Sequence, residues 1–138
     1  LVYSMSQVYR LPSVPAWDTW RTTASFMLSA LLLGLLGMAS VWVYESYLTG
    51  IRLPPGQWTQ IGISTLALLA LQLAIAGRYF GRLSANKLRI SLILAGVIGT
   101  VTTFLIPGSI GVWPSLAVFL VVLAEEVVGR WLFYQSRV

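Results

Sequence analysis

Four long apolar runs constrain this chain more than any other feature of it. A helix rises about 1.5 Å per residue, so crossing a hydrocarbon core of ~30 Å takes about 20 mainly apolar residues. Four stretches meet that length, at roughly Thr22–Tyr44, Trp58–Gly77, Leu88–Ile106 and Val112–Tyr134. The breaks between them carry turn chemistry: GIRLPPG from Gly50, RYFGRLSANK from Arg78 and IPGSIGVWP from Ile106. Runs such as SFMLSALLLGLLGMASVWV do not alternate as the strands of a membrane β-barrel must. The expected fold is therefore all-α: one polytopic membrane domain, a bundle of four spanning helices joined by short connections. Short connections make consecutive helices antiparallel neighbours.

Composition excludes the soluble alternative. Charged residues are 9% of the 138 positions and hydrophobic ones 57%, whereas a soluble domain carries about 25% charged residues to keep its surface wet. There is no Cys and no His, so the chain offers no thiolate metal site, no iron–sulfur ligands and no His axial ligand for haem. No metal site and no nucleic-acid partner is expected. Leu1 to Tyr9 (LVYSMSQVY) reads as the last turns of a preceding helix, with no signal-peptide pattern. The chain is expected to be the C-terminal part of a longer membrane protein.

Tryptophans and basic residues set depth and orientation. Trp17, Trp20, Trp42, Trp58, Trp113 and Trp131 all fall near helix ends, where amphipathic rings anchor at the headgroups. Arg10, Arg21, Arg78, Arg82, Lys87, Arg89 and Arg137 share one side of the four-span arrangement, against Arg52 alone on the other. Positive residues stay cytoplasmic, so the N-terminal segment, the central loop and the C-terminal tail are assigned there. The same cations suit an acidic partner or anionic lipid equally well. Small residues recur four apart at Ala30 and Gly34, at Ala70 and Ala74, and along Ser91, Ala95, Gly99 and Thr103. That spacing lets helix backbones approach closely, and packing within the bundle is the favoured use.

Charges inside a membrane are where chemistry is sought. The last span holds Glu125, Glu126 and Arg130 in LAEEVVGRWLFY. Glu126 and Arg130 are i and i+4, so they share a helix face and can pair. Glu125 lies about 100° round the helix from Glu126 and needs another partner or a bound proton. Gly129 leaves a gap beside them for another backbone or a flat ligand. Two readings stay open: a carboxylate that takes protons from a quinol or relays them, or a structural pair with Arg130 snorkelling to the headgroups. Elsewhere, Glu45 is read as a solvated helix-end charge and Asp18 as the N-cap of the first span.

Two stretches resemble the membrane-anchor subunits of dimethyl sulfoxide reductase, the DmsC type. In VYRLPSVPAWDTWRTTASFMLSALLLG (residues 8–34) a helix ends, the turn Val14-Pro15-Ala16-Trp17 follows, and a Leu-rich helix opens. The closing segment LAEEVVGRWLFY matches the family's last helix at Glu126, Gly129, Arg130, Phe133 and Tyr134. The resemblance implies an anchor in a bacterial or archaeal cytoplasmic membrane that is not itself the catalytic subunit. It would oxidise menaquinol and pass electrons to an iron–sulfur partner in anaerobic respiration, beside a molybdopterin catalytic subunit. The anchor itself would bind no redox cofactor. The competing expectation is a small proton-coupled transporter using an intramembrane Glu, and a third is an anchor that binds no quinol.

Overall fold

The computed structural model describes residues 1–8, 20–51, 54–76, 85–106 and 111–135. All regular structure among them is helical. A short helix α1 (Val2–Val8) is followed by α2 (Trp20–Thr49), α3 (Pro55–Ala76), α4 (Ala85–Thr100) with a π-helical continuation at Val101–Leu105, and α5 (Val112–Gln135). Four of these helices are long and apolar enough to cross a membrane. At about 1.5 Å per residue α2 is ~45 Å long, so it projects beyond a ~30 Å hydrocarbon core. Its end is set by Gly50, whose φ of +74° lies in the left-handed region and whose N–H donates to Ser46 O at 3.0 Å. Pro55 opens α3 and Pro114 sits in the first turn of α5, where a missing N–H removes no intrahelical bond.

The spanning helices close into a ring: α2 packs on α3 and α5, and α4 packs on α3 and α5, while α1 lies along α2. Buried positions on α2 are Thr22, Phe26, Ser29, Leu32, Leu36, Ala39 and Val43, three or four residues apart. That is the seam of near-parallel helix packing. Facing it are Trp58, Ile61 and Leu69 of α3, Phe104 of the π segment, and Val118 and Val122 of α5. Because lipid is as apolar as the core, these contacts act through close packing rather than through exclusion of water.

Two expectations change here. Trp58 is not an interfacial anchor: it is buried and stacks on Phe104 with ring centroids 6.3 Å apart. Trp20, Trp113 and Trp131 are exposed, as anchors are. The small residues Ala30, Gly34, Ala70 and Ala74 face outward, as do Ser91 and Ala95, because the bulkier Leu32, Leu36, Ile61 and Leu69 take the inner face. Close approach inside the bundle falls to Gly62 and Gly96, outside those stripes, and to Gly99, which with buried Thr103 forms the inward half of the α4 stripe. An added Cβ at Gly62 would meet Leu105 Cδ2 at 2.9 Å, one at Gly96 would meet Val122 Cγ2 at 3.2 Å, and one at Gly99 would meet Val118 Cγ2 at 2.9 Å.

Candidate functional site

Toward one end of the bundle the seams of all four spanning helices turn polar together. On α5 the seam runs Ser115, Val118, Val122 and then Glu125, with Glu126 beside it. On α3 it runs Ile61, Thr65, Leu69 and then Gln72, and on α4 Thr100, Gly96, Ile93 and then Arg89, read toward the same end. On α2 the position at that level is Ser29. Antiparallel neighbours bring these residues to one depth, and they meet.

Glu125 and Glu126 are both buried, at 1% and 6% relative exposure. Arg89 Nε donates to Glu125 Oε1 at 2.7 Å, an ion pair between α4 and α5. Gln72 Nε2 bridges the two carboxyl groups, 3.2 Å from Glu125 Oε2 and in a short contact with Glu126 Oε1. Ser29 Oγ lies 2.6 Å from Glu126 Oε2 and 2.8 Å from Ser25 O. Each helix of the ring thus supplies at least one group to a closed polar layer. Buried ionic groups are tolerated only when paired and hydrogen-bonded in this way.

The predicted partners are rearranged. Among the described residues Glu126 makes no ion pair with Arg130; it turns into the bundle, toward Ser29 and Gln72. Arg130 instead lies over the ring of Phe26 on α2, with its guanidinium carbon 3.8 Å from the ring centroid. The other partner that Glu125 needs is Arg89, whose reach from the first turns of α4 serves more than orientation. Gly129 does leave open space, but Arg89 fills it: a Cβ there would lie 3.0 Å from both Cζ and Nη2 of the guanidinium. Glu125 and Gly129 are i and i+4, so one face of α5 offers a carboxylate and, one turn on, a flat seat for the group that pairs with it.

Val14, Pro15, Trp17 and Asp18 lie outside the described residues. Phe133 and Tyr134 fall in the last turns of α5. Glu45 is exposed. Ser29, Gln72 and Arg89 were not singled out as site residues. A polar residue at the next seam position of an otherwise apolar span is the signal that points to them.

Comparison with known proteins gives one family. The model described as DMSO reductase anchor subunit (DmsC) matches residues 1–76. That stretch takes in Ser29 and Gln72 and stops before Arg89, Glu125, Glu126 and Arg130. No curated protein and no solved structure matches the chain.

Proposed function

The chain belongs to the DMSO reductase anchor subunit family, and on that premise we propose that it binds menaquinol at the membrane and passes its electrons to an iron–sulfur partner subunit. In this reading the partner hands them to a molybdopterin catalytic subunit, the complex works in anaerobic respiration, and the membrane is the cytoplasmic membrane of a bacterium or archaeon. The basic end of the bundle faces the cytoplasm, as the distribution of Arg and Lys favours.

The observation that carries the reading is the polar layer. A quinol loses two electrons and two hydroxyl protons on becoming a quinone. The electrons leave through the partner, so the protons need an acceptor within the membrane or at its face. Buried carboxyl groups near one end of a spanning bundle fit that need, since intramembrane ionisable residues otherwise carry an energetic penalty without return. Glu126 is assigned to proton handling and Arg130, one turn closer to the helix end, to the positive side of the quinol-binding site. This chain itself supplies no redox metal in the proposal, and none of its residues is a catalytic group toward the terminal acceptor.

Glu126→Gln tests it. The amide keeps size and hydrogen bonding and removes the acid. In the complex with its partner subunits, the variant is expected to assemble, to lose quinol-driven reduction by at least tenfold, and to keep activity from an artificial donor that reaches the partners directly. If both activities fall together with assembly, the layer is structural. Full quinol-linked turnover in an assembled variant removes Glu126 from the mechanism.

A further inference from the structure

The polar layer leaves one buried acceptor without a donor. Gln72 is 3% exposed, and its Nε2 donates to a carboxyl oxygen of each acid, Glu125 Oε2 at 3.2 Å and Glu126 Oε1 in the short contact. An amide nitrogen carries two hydrogens, so these contacts use all that it can donate. They also fix which way the amide lies, since turning it over would set Oε1 against two carboxyl oxygens and lose both bonds. Oε1 is therefore left to another partner, and among the described residues no donor reaches it. The other donors of the layer are engaged elsewhere: Ser29 Oγ with Ser25 O and Glu126 Oε2, and Arg89 Nε with Glu125 Oε1. A buried polar atom without a hydrogen-bond partner is uncommon in folded proteins and marks a place where one is missing.

The packing around α3 is uneven in a way that bears on access. Away from the polar layer α3 is held closely, with Gly62 against Leu105 and Phe104 of the π segment and Trp58 stacked on Phe104. Toward Gln72 the contact between α3 and α4 itself is sparser. On α3 Leu71, Leu73 and Ala74, on either side of Gln72, are exposed, and so are Leu88 and Ser91 beside Arg89 on α4. A ligand that travels in the bilayer meets the layer here with the least close packing to displace.

We propose that Gln72 Oε1 accepts the hydrogen of a quinol hydroxyl, and that Gln72 is the residue that distinguishes the reduced ligand from the oxidised one. This rests on the reading of the chain as a quinol-binding subunit. A quinol oxygen carries a hydrogen and can donate it to Oε1. A quinone oxygen is an acceptor only, and against Oε1 it would set two acceptors face to face with no hydrogen between them. A site built to hydrogen-bond a hydroxyl rejects the analogue that lacks it, because its own buried group is then left bare. The amide that takes the hydroxyl also donates to Glu126, so the bound ring lies one side chain away from the acid. Oxidation removes the hydroxyl hydrogens and with them this contact, which favours release of the product. Water offers the same kind of hydrogen, and the experiment separates the two.

The affinities of a short-chain menaquinol and the matching menaquinone, measured on the complex in lipid, test this. The quinol is titrated into pre-reduced complex, so that it is not consumed. The parent should bind the quinol more tightly than the quinone by about tenfold or more, the scale of one buried group left unsatisfied. Gln72→Met keeps the volume and removes the amide. It should lose that preference, with quinol affinity falling and quinone affinity held or raised. Gln72→Asn keeps an amide but draws it back by a methylene; it should shift the ratio in the same direction, and it serves where the Met variant does not assemble. A water on Oε1, or a merely structural Gln72, leaves the ratio of the two affinities unchanged in the variants, and that result overturns the inference. A parent complex that binds quinol without preferring it to quinone also overturns it, while the reading of the chain as a quinol-binding subunit stands. A parent complex that binds neither form removes both.

Discussion

Gly129 shows how much a single missing side chain can organise. The Arg89 guanidinium rests where a Cβ would be, 3.0 Å from its Cζ, and from there donates to Glu125 at 2.7 Å. Gly129→Ala asks the tip of a flexible side chain to give by a few tenths of an ångström, so about 1 kcal/mol of stability should be lost, the low end for overpacking. Gly129→Leu displaces the guanidinium and strands a buried carboxylate, a change of about 3–5 kcal/mol. Thermal loss of assembly in lipid or detergent should rank parent, Ala and Leu in that order. Equal midpoints for all three would mean that Arg89 is not seated there. At this scale the sequence was only half legible. Glu126, Gly129 and Arg130 stand out on one helix, and helical spacing suggests a pair between the first and last. It cannot show that Glu126 is drawn to Ser29, 97 residues earlier, or that Glu125 is met by Arg89, 36 residues earlier. Partners on other helices compete for the same carboxylate, and they are invisible to a spacing rule.

The helices themselves were far more legible than their faces. Length and apolarity locate four spans because a bilayer accepts few alternatives, and the ends fall where Pro and Gly place them. Which side of each helix turns inward is a weaker signal, since lipid and core are equally apolar. The four-residue stripes of small residues on α2 and α3 therefore suggested inner faces that prove to be outer ones. Gly62 and Gly34 make the distinction measurable. A Cβ at Gly62 would meet Leu105 Cδ2 at 2.9 Å and Phe104 Cβ at 3.0 Å, whereas at Gly34 nothing lies within 4 Å. The π segment brings Thr103 and Phe104 both to the interior, so α3 has little room to retreat. Gly62→Ala should destabilise the assembled protein by about 1–3 kcal/mol, and Gly34→Ala should be neutral or slightly stabilising in helix propensity. Matched thermal scans of the two variants test this, and a larger loss at Gly34 would contradict the assignment of faces.

As a whole the described helices form a ring of four antiparallel spans, with a seam of apolar residues and scattered hydroxyls and with its ionisable residues gathered in one layer near the end that carries most of the basic residues. Sidedness follows from those residues: the Arg78–Lys87 connection should be cytoplasmic and the Gly50–Gly56 connection external. Reporter fusions at Ser84 and Gly56 in the complete protein read this directly, with alkaline phosphatase activity expected at Gly56; activity at Ser84 instead would invert the molecule. The position of the polar layer along the bundle has an electrical meaning. Glu126 is five residues from the exposed Trp131, about 8 Å along the helix, or roughly a quarter of a ~30 Å hydrocarbon core. A unit charge crossing the full membrane does about 2.3 kcal/mol of work per 100 mV. A proton passing between Glu126 and the nearer face thus traverses only about a quarter of the voltage, roughly 0.6 kcal/mol per 100 mV. In the proposed role, the buried carboxyl pair is shallow enough that the membrane potential scarcely opposes proton exchange there.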